Sequence, residues 1–283
     1  MPGTDAESPG FRTVQFALKV QDTRIDVNAQ LPEGAIRPAV LLPIIQNLSN
    51  SLSEIAERRA ELVGQHVSCR EGCGACCRQA VPITPVEARM LSEWIAVQPE
   101  DRREVLRARF RHAAEQLEES GIAQSIREAS LPIEKAHIHA LGLKYFALGI
   151  PCPFLEEERC TIHPVRPLRC REYIVVSPAE HCAHPESKEV IGIKPPVLLS
   201  QVLGKWSAGG DAQPFEFILL TMLDEWESAH PTSEDRAHRT VPELLQEFLH
   251  TFASENAASP SPDSNSAPLS KSKLRSSWGC PLG

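Results

Sequence analysis

The sequence predicts a mainly α-helical chain with a small N-terminal β-hairpin, a loop-rich cysteine core and a disordered C-terminal tail. Three observations carry that prediction. Apolar residues alternate with a period of two near the front, capped amphipathic segments fill the middle, and eight cysteines gather in two stretches broken by glycine and proline.

Residues 13–31, TVQFALKVQDTRIDVNAQL, put Val14, Phe16, Leu18 and Val20 on one face of a strand. Ile25, Val27 and Ala29 resume the alternation after the polar break QDT. Side chains of a strand point to opposite faces in turn, so the pair reads as a hairpin. From about Arg37 to Val63 the spacing becomes helical, with an interruption expected at Pro43. Beyond the first cysteines, Thr84, Pro85 and Glu87 compose a capping box. Val86, Met90, Trp94, Leu91 and Ile95 supply the buried stripe of the helix that follows.

Leu106, Phe110, Ala113 and Leu117 mark a second amphipathic helix, and a third covers about 133–148. Residues 150–196 are rich in proline and read as loops. Two further helices are expected over PFEFILLTMLDEWE (214–227) and TVPELLQEFLH (240–250), the latter with Thr240 and Glu243 as a second capping box. SAGGDAQP before them reads as a loop. From Ala253 onward the chain is rich in Ser and Pro and poor in apolar residues, the composition of a disordered tail. The expected organisation is an N-terminal segment with the hairpin (1–35), a cysteine-cluster domain (36–195), its helical extension (196–252) and the tail (253–283).

The chain has 283 residues, 42% of them apolar and 23% charged, the balance of an ordinary globular protein. Its net charge of −8 argues against nucleic acid or an anionic membrane surface as a partner. The arginine-rich run DRREVLRARFRHAAEQLEES alternates with Glu at helical spacing and reads as a solvated helix face. The run PAVLLPII is far shorter than the roughly 20 residues of a membrane span. MPGTDAESPG has no basic region followed by an apolar one, so the expected location is the cytoplasm. Thiols stay reduced there, and clustered cysteines then point to metal or catalysis rather than disulfides.

Nine cysteines occur, and Cys280 lies alone in the tail. The others form an early set, Cys69, Cys73, Cys76 and Cys77, and a late set, Cys152, Cys160, Cys170 and Cys182. Thiolates hold zinc or the iron of iron–sulfur clusters, and four satisfy one tetrahedral ion or one cubane. Gly72 and Gly74 let the backbone turn toward the sulfurs. Adjacent Cys76 and Cys77 diverge in strand or helix. Either one lies behind the metal or the two face neighbouring sites.

The stretches CREGCGACC, CPFLEEERCTIH and RPLRCREY closely resemble the YkgJ-like cysteine-cluster family of bacterial-type proteins, a zinc- or iron-chelating CxxCxxCC domain. The resemblance covers roughly residues 60–185. Its later segment matches at Cys160, Ile162, Arg166, Pro167, Cys170 and Arg171, with His163 in an aromatic slot. The chain departs at Cys69, with three residues rather than two between it and Cys73. The resemblance implies that all eight cysteines are metal ligands.

A zinc ion or a cubane bound by four thiolates is anionic, so Arg166 and Arg171 are expected to donate to the sulfurs and offset that charge. Arg169 reads as a surface arginine. His163, His181 and His184 lie beside the late cysteines as hydrogen-bonding neighbours rather than ligands. His137 and His139, two apart on a helix, diverge.

Surplus sulfur favours an iron–sulfur cluster over a lone zinc. The Cys69-x3-Cys73-x2-Cys76 spacing is also that of radical S-adenosylmethionine enzymes, but the alternating strands of their barrel are not predicted. Some YkgJ-like proteins resemble flagellin lysine N-methylases, which makes a protein-lysine methyltransferase the enzymatic alternative. The non-enzymatic alternative is a structural zinc module whose helices bind a protein partner. No catalytic acid, base or nucleophile stands out, and neither a reaction nor an oligomeric state is legible.

Overall fold

A computed structural model describes residues 10–128, 135–209, 217–231 and 239–258. Strands β1 (Phe11–Val20) and β2 (Thr23–Pro32) form the expected antiparallel hairpin, with Phe16 opposite Val27 and Leu18 opposite Ile25. Its two-residue turn puts Gln21 at φ 54°. Val14, Leu18 and Val20 of β1 pack toward the core, where Val20 and Leu31 are buried.

A short β3 (Ala35–Ile36) and one 3₁₀ turn (Pro38–Leu41) lead into α1 (Leu42–Leu62). Pro43 begins this helix instead of interrupting it. The missing N–H of proline does no harm in a first turn, where amides have no intrahelical acceptor. Leu42, Ile45, Leu48, Leu52 and Ile55 form the buried face of α1.

After the early cysteines come β4 (Pro82–Ile83), α2 (Pro85–Ala96), α3 (Glu100–Glu119), α4 (Ile122–Arg127) and α5 (Lys135–Ala147). The Thr84–Glu87 capping box at the start of α2 is formed in both directions. Leu106, Phe110, Ala113 and Leu117 bury the predicted face of α3. Gly121, at φ 73°, turns the chain from α3 into α4, a helix too short for periodicity to reveal.

Residues 150–196 contain β5 (Leu155–Glu156) paired with β6 (Arg159–Cys160), α6 (Leu168–Glu172), and β7 (Ile174–Val175) paired with β8 (Gly192–Ile193). Helix α7 (Leu199–Ser207) follows and was not expected. The helix expected over 214–227 is α8 (Leu223–Ala229) only. Ile218–Leu219 form instead β9, paired with β4, because that pairing satisfies both buried backbones. Residues 210–216, which take in most of SAGGDAQP and the start of that expected helix, lie outside the described residues.

β10 (Arg239–Thr240) pairs with β3 and precedes α9 (Val241–Ala258). The Glu243 carboxylate accepts from the Thr240 N–H at 2.9 Å. Helix α9 therefore runs six residues past the boundary set at Ala253, held by buried Phe248 and Phe252. The rest of the expected tail, 259–283, lies outside the described residues, as do 133–134 of the third expected helix.

Three apolar clusters organise the molecule. One joins the hairpin, α1, α7 and α9. A second joins α2, α3 and α8 around Phe110 and Phe154, whose rings meet edge-on at 5.4 Å. The third joins α4, α5 and the end of α3. Every sheet among the described residues is a two-stranded antiparallel pair, so the β/α alternation of a barrel is absent there. No helix among them is long and apolar enough to cross a membrane.

Candidate metal centre

The cysteines ride on segments too short to hold themselves, and buried apolar neighbours anchor Cys77, Cys152, Cys160 and Cys170. Ala80 follows Cys77, Ile150 and Phe154 bracket Cys152, Ile162 follows Cys160, and Leu168 precedes Cys170; all are at most 2% exposed. Burying such residues stabilises by about 1.5–3 kcal/mol for each large side chain. The clusters thereby bring two remote parts of the chain together.

Hydrogen bonds complete the junction. The Cys152 N–H donates to the Cys77 carbonyl at 2.7 Å. The Ser68 N–H donates to the Val175 carbonyl at 2.8 Å, and its hydroxyl donates to the Ser177 carbonyl at 2.5 Å. The Val175 N–H reaches the Cys69 sulfur at 3.4 Å. Gln79 donates to the Tyr173 hydroxyl at 2.9 Å, and the Arg78 guanidinium pairs with Glu158 at 2.6 Å. Cys76 and Cys77 lie on a 3₁₀ turn, Ala75–Arg78, that packs against a second such turn, Ala179–Ala183, carrying Cys182.

Glycines permit this approach. Gly72 is at φ 80°, a left-handed conformation that costs other residues about 1–2 kcal/mol. A Cβ on Gly74 would collide with the Glu158 carboxylate and come within 2.9 Å of Leu155.

All eight cysteines are free thiols; Cys69 is exposed, Cys182 is buried and the rest are half-buried. Their electrostatics record their proximity. Cys77 gives a sulfur hydrogen bond to Cys76, which holds Cys76 down at about 7 against the effect of burial, while Arg166 assists. The same bond, with burial and the charges of Cys76, Cys152 and Cys170, pushes Cys77 far up. The adjacent thiols thus face each other rather than diverge. Burial raises Cys152 to about 12, assisted by Cys160 and Cys76. It raises Cys170 as well, assisted by Cys152 and Cys76. Burial and the charges of Cys69, Cys76 and Cys73 push Cys182 up to about 12.

Arg166 sits among these sulfurs. Its charge acts on Cys69, Cys76, Cys160 and Cys170, and its buried Nε has no hydrogen-bond partner. Arg171 is placed differently. Its guanidinium donates to the Arg166 carbonyl at 3.0 Å, to Asn50 Oδ1 at 2.8 Å and to the Pro164 carbonyl. Burial lowers it to about 10.

A polar scaffold that sequence reading did not find supports the loop before Cys170. Gln46 of α1 donates to the Val165 carbonyl at 3.3 Å. The buried Glu87, besides capping α2, accepts from the Leu168 N–H at 2.8 Å. Glu172 accepts from the Ser200 N–H at 2.9 Å and stands 3.9 Å from Arg169, which is largely buried rather than on the surface. Burial lifts Glu172 to about 7. Only the capping-box signal pointed to Glu87. Nothing local marked Gln46, Asn50 or Ser200, since their partners lie far along the chain.

The histidines keep to the margin. His181 Nδ1 lies 2.8 Å from the Glu189 carbonyl, His184 is 3.8 Å from Glu186, and His163 is exposed with its pKa lowered by Arg166. His137 and His139 are exposed on α5.

The donor set suits a soft or borderline ion in kind and number: eight free thiols from two segments, with an unpartnered buried guanidinium nitrogen among them. It is a convergence of segments and not a finished coordination shell. Among the described residues no group of three or more His, Cys, Asp or Glu side chains is arranged to hold an ion as it stands.

Residues 68–190 match the family model CxxCxxCC, described as "Putative zinc- or iron-chelating domain". Neither the curated proteins nor the solved structures contain a match to this chain.

Proposed function

We propose that the chain is a sulfur-rich metal-binding module of the YkgJ-like kind, with Cys69, Cys73, Cys76, Cys77, Cys152, Cys160, Cys170 and Cys182 as its ligands. The observation that carries this reading is the 2.7 Å backbone bond between Cys152 and Cys77, which brings the two thiol sets together around Arg166. A bound metal would displace the protons of the raised thiols, Cys77, Cys152, Cys170 and Cys182.

Arg166 offsets the charge of the bound thiolates, and its free Nε is the donor available to them. Arg171 acts one step back by fixing the carbonyls of Pro164 and Arg166, and hence the loop that positions Cys170. The number of sulfurs favours an iron–sulfur cluster over zinc. A bound cluster would supply electron transfer or sensing, and zinc a structural cross-link.

Anaerobic purification followed by metal and acid-labile sulfide analysis tests the reading. A brown chain whose colour bleaches on reduction is the expected result. A colourless chain with stoichiometric zinc and no sulfide would transfer the function to a structural module, and a metal-free chain would remove it.

A further inference from the structure

The metal-binding reading leaves open what holds Cys170 in place, since the helix that carries it, α6, has only five residues. Resting on that reading, we propose that Glu172 and Ser200 are positioning residues for the metal centre. They fasten the foot of α6 to α7, as Glu87 fastens its head to α2, and so fix the backbone that carries Cys170.

A helix of five residues does not hold its own shape in water, because too few hydrogen bonds offset the ordering of its backbone. Buried carboxylates hold both ends of α6 instead. At the head, Glu87 accepts from the Leu168 N–H at 2.8 Å while capping its own helix. At the foot, Glu172 accepts from the Ser200 N–H at 2.9 Å and from the Ser200 hydroxyl at 2.5 Å. Glu87, Glu172 and Ser200 are each at most 3% exposed. Cys170 lies midway between the two anchors, Leu168 and Glu172. In a helix of that length, fixing both ends fixes the residue between them.

Ser200 is the second residue of α7. The first amides of a helix have no acceptor within it, and Leu198, which precedes α7, supplies no side-chain cap. Glu172 provides that cap from 28 residues earlier in the chain. The bond therefore serves two helices at once. It closes the start of α7, and it ties α6 to a helix whose Val202, Leu203 and Trp206 are rooted in the cluster of the hairpin, α1 and α9, where Leu168 also sits. Arg169 stands 3.9 Å from Glu172 and its charge bears on Glu87, so one guanidinium acts on both buried carboxylates. None of these side chains carries sulfur, so their effect on metal passes through the backbone of α6.

Cobalt(II) is the probe, because thiolate coordination gives it strong sulfur-to-metal absorption. It is titrated anaerobically into the reduced, metal-stripped full chain, and affinity is read per folded molecule. Glu172→Ala removes both bonds to Ser200 and should weaken binding about tenfold or more and shift the sulfur-to-cobalt band. Ser200→Ala, which removes one bond from the α7 side, should move both readouts in the same direction and less far. Glu172→Gln should restore both, since its amide oxygen accepts the Ser200 N–H and its amide N–H donates to the Ser200 hydroxyl. Leu203→Ala, at a fully buried position of α7 that does not bond α6, should lower the urea midpoint without moving either readout. If Glu172→Ala loses its helical circular dichroism, the comparison of Ser200→Ala with Leu203→Ala decides. Wild-type affinity and band in the Ser200→Ala and Glu172→Ala chains, or equal shifts in Leu203→Ala, overturn the positioning role while metal binding itself stands. A wild-type chain with no sulfur-to-cobalt absorption overturns the proposed function and the positioning role with it.

Discussion

The core around Phe110 and the junction around Cys77 close by different means. In the first, Phe110, Phe154, Leu91, Ile95 and Leu106 are fully buried, and their aromatic rings meet edge-on. Apolar surface of that kind supplies its own closing force. In the second, two-residue strands and single turns meet through a few backbone bonds, and the side chains at the centre are half-buried thiols that burial keeps protonated. One region is stable through its own packing. The other is positioned by its surroundings.

The largest expected effect breaks the packed side of that comparison. Phe110→Ala removes a fully buried ring and should cost about 3–5 kcal/mol in urea unfolding. If the two regions close independently, metal bound per folded molecule should stay unchanged. Parallel loss of metal from the folded fraction would show that the two are one cooperative unit.

Chelation probes the other side. Metal held at a hundred times its dissociation constant stabilises by about 2.7 kcal/mol, which a chelator returns. Amide exchange should accelerate in residues 68–78 and 150–182 and not in α3. Uniform acceleration would remove the distinction.

Glu87 joins the regions, capping α2 and holding the α6 amide of Leu168. Its carboxyl is raised by burial despite three donors, so the folded state binds its proton more tightly than the unfolded state does. That contribution is complete below the ordinary glutamate value and is lost as pH rises through the raised one. Glu87→Gln should cost about 1–3 kcal/mol at low pH, since one donor loses its acceptor. Unfolding measured from acid to neutral pH should show the wild-type advantage shrinking as pH rises; an advantage that grows would reverse the sign of the shift.

The smallest effect is at Arg78→Ala. Its pair with Glu158 spans the junction but is 31% and 49% exposed, so its loss should cost about 0.2–1 kcal/mol and weaken with added salt. A larger, salt-independent loss would mean that the junction depends on this pair.

Legibility follows the range of the force that shapes each element. The hairpin, α2 and the buried face of α3 were readable because their patterns repeat within a few residues. Helix α7 and the β4–β9 pairing were not, since what selects them is contact with remote chain. At the site, the clustering of thiols and the placing of Arg166 near them could be anticipated from spacing. The opposite assignments of Arg169, buried beside Glu172, and of Arg171, spent on carbonyls and Asn50, could not.

By itself, the amino-acid order determined the chemistry on offer: which residues carry sulfur, how closely they are spaced, and which flanking side chains must leave water. Only the tertiary structure decided which sulfurs meet. Cys77 and Cys152 are joined by a backbone hydrogen bond, and a backbone bond between distant residues is specified by the packing on either side of it rather than by any local signal.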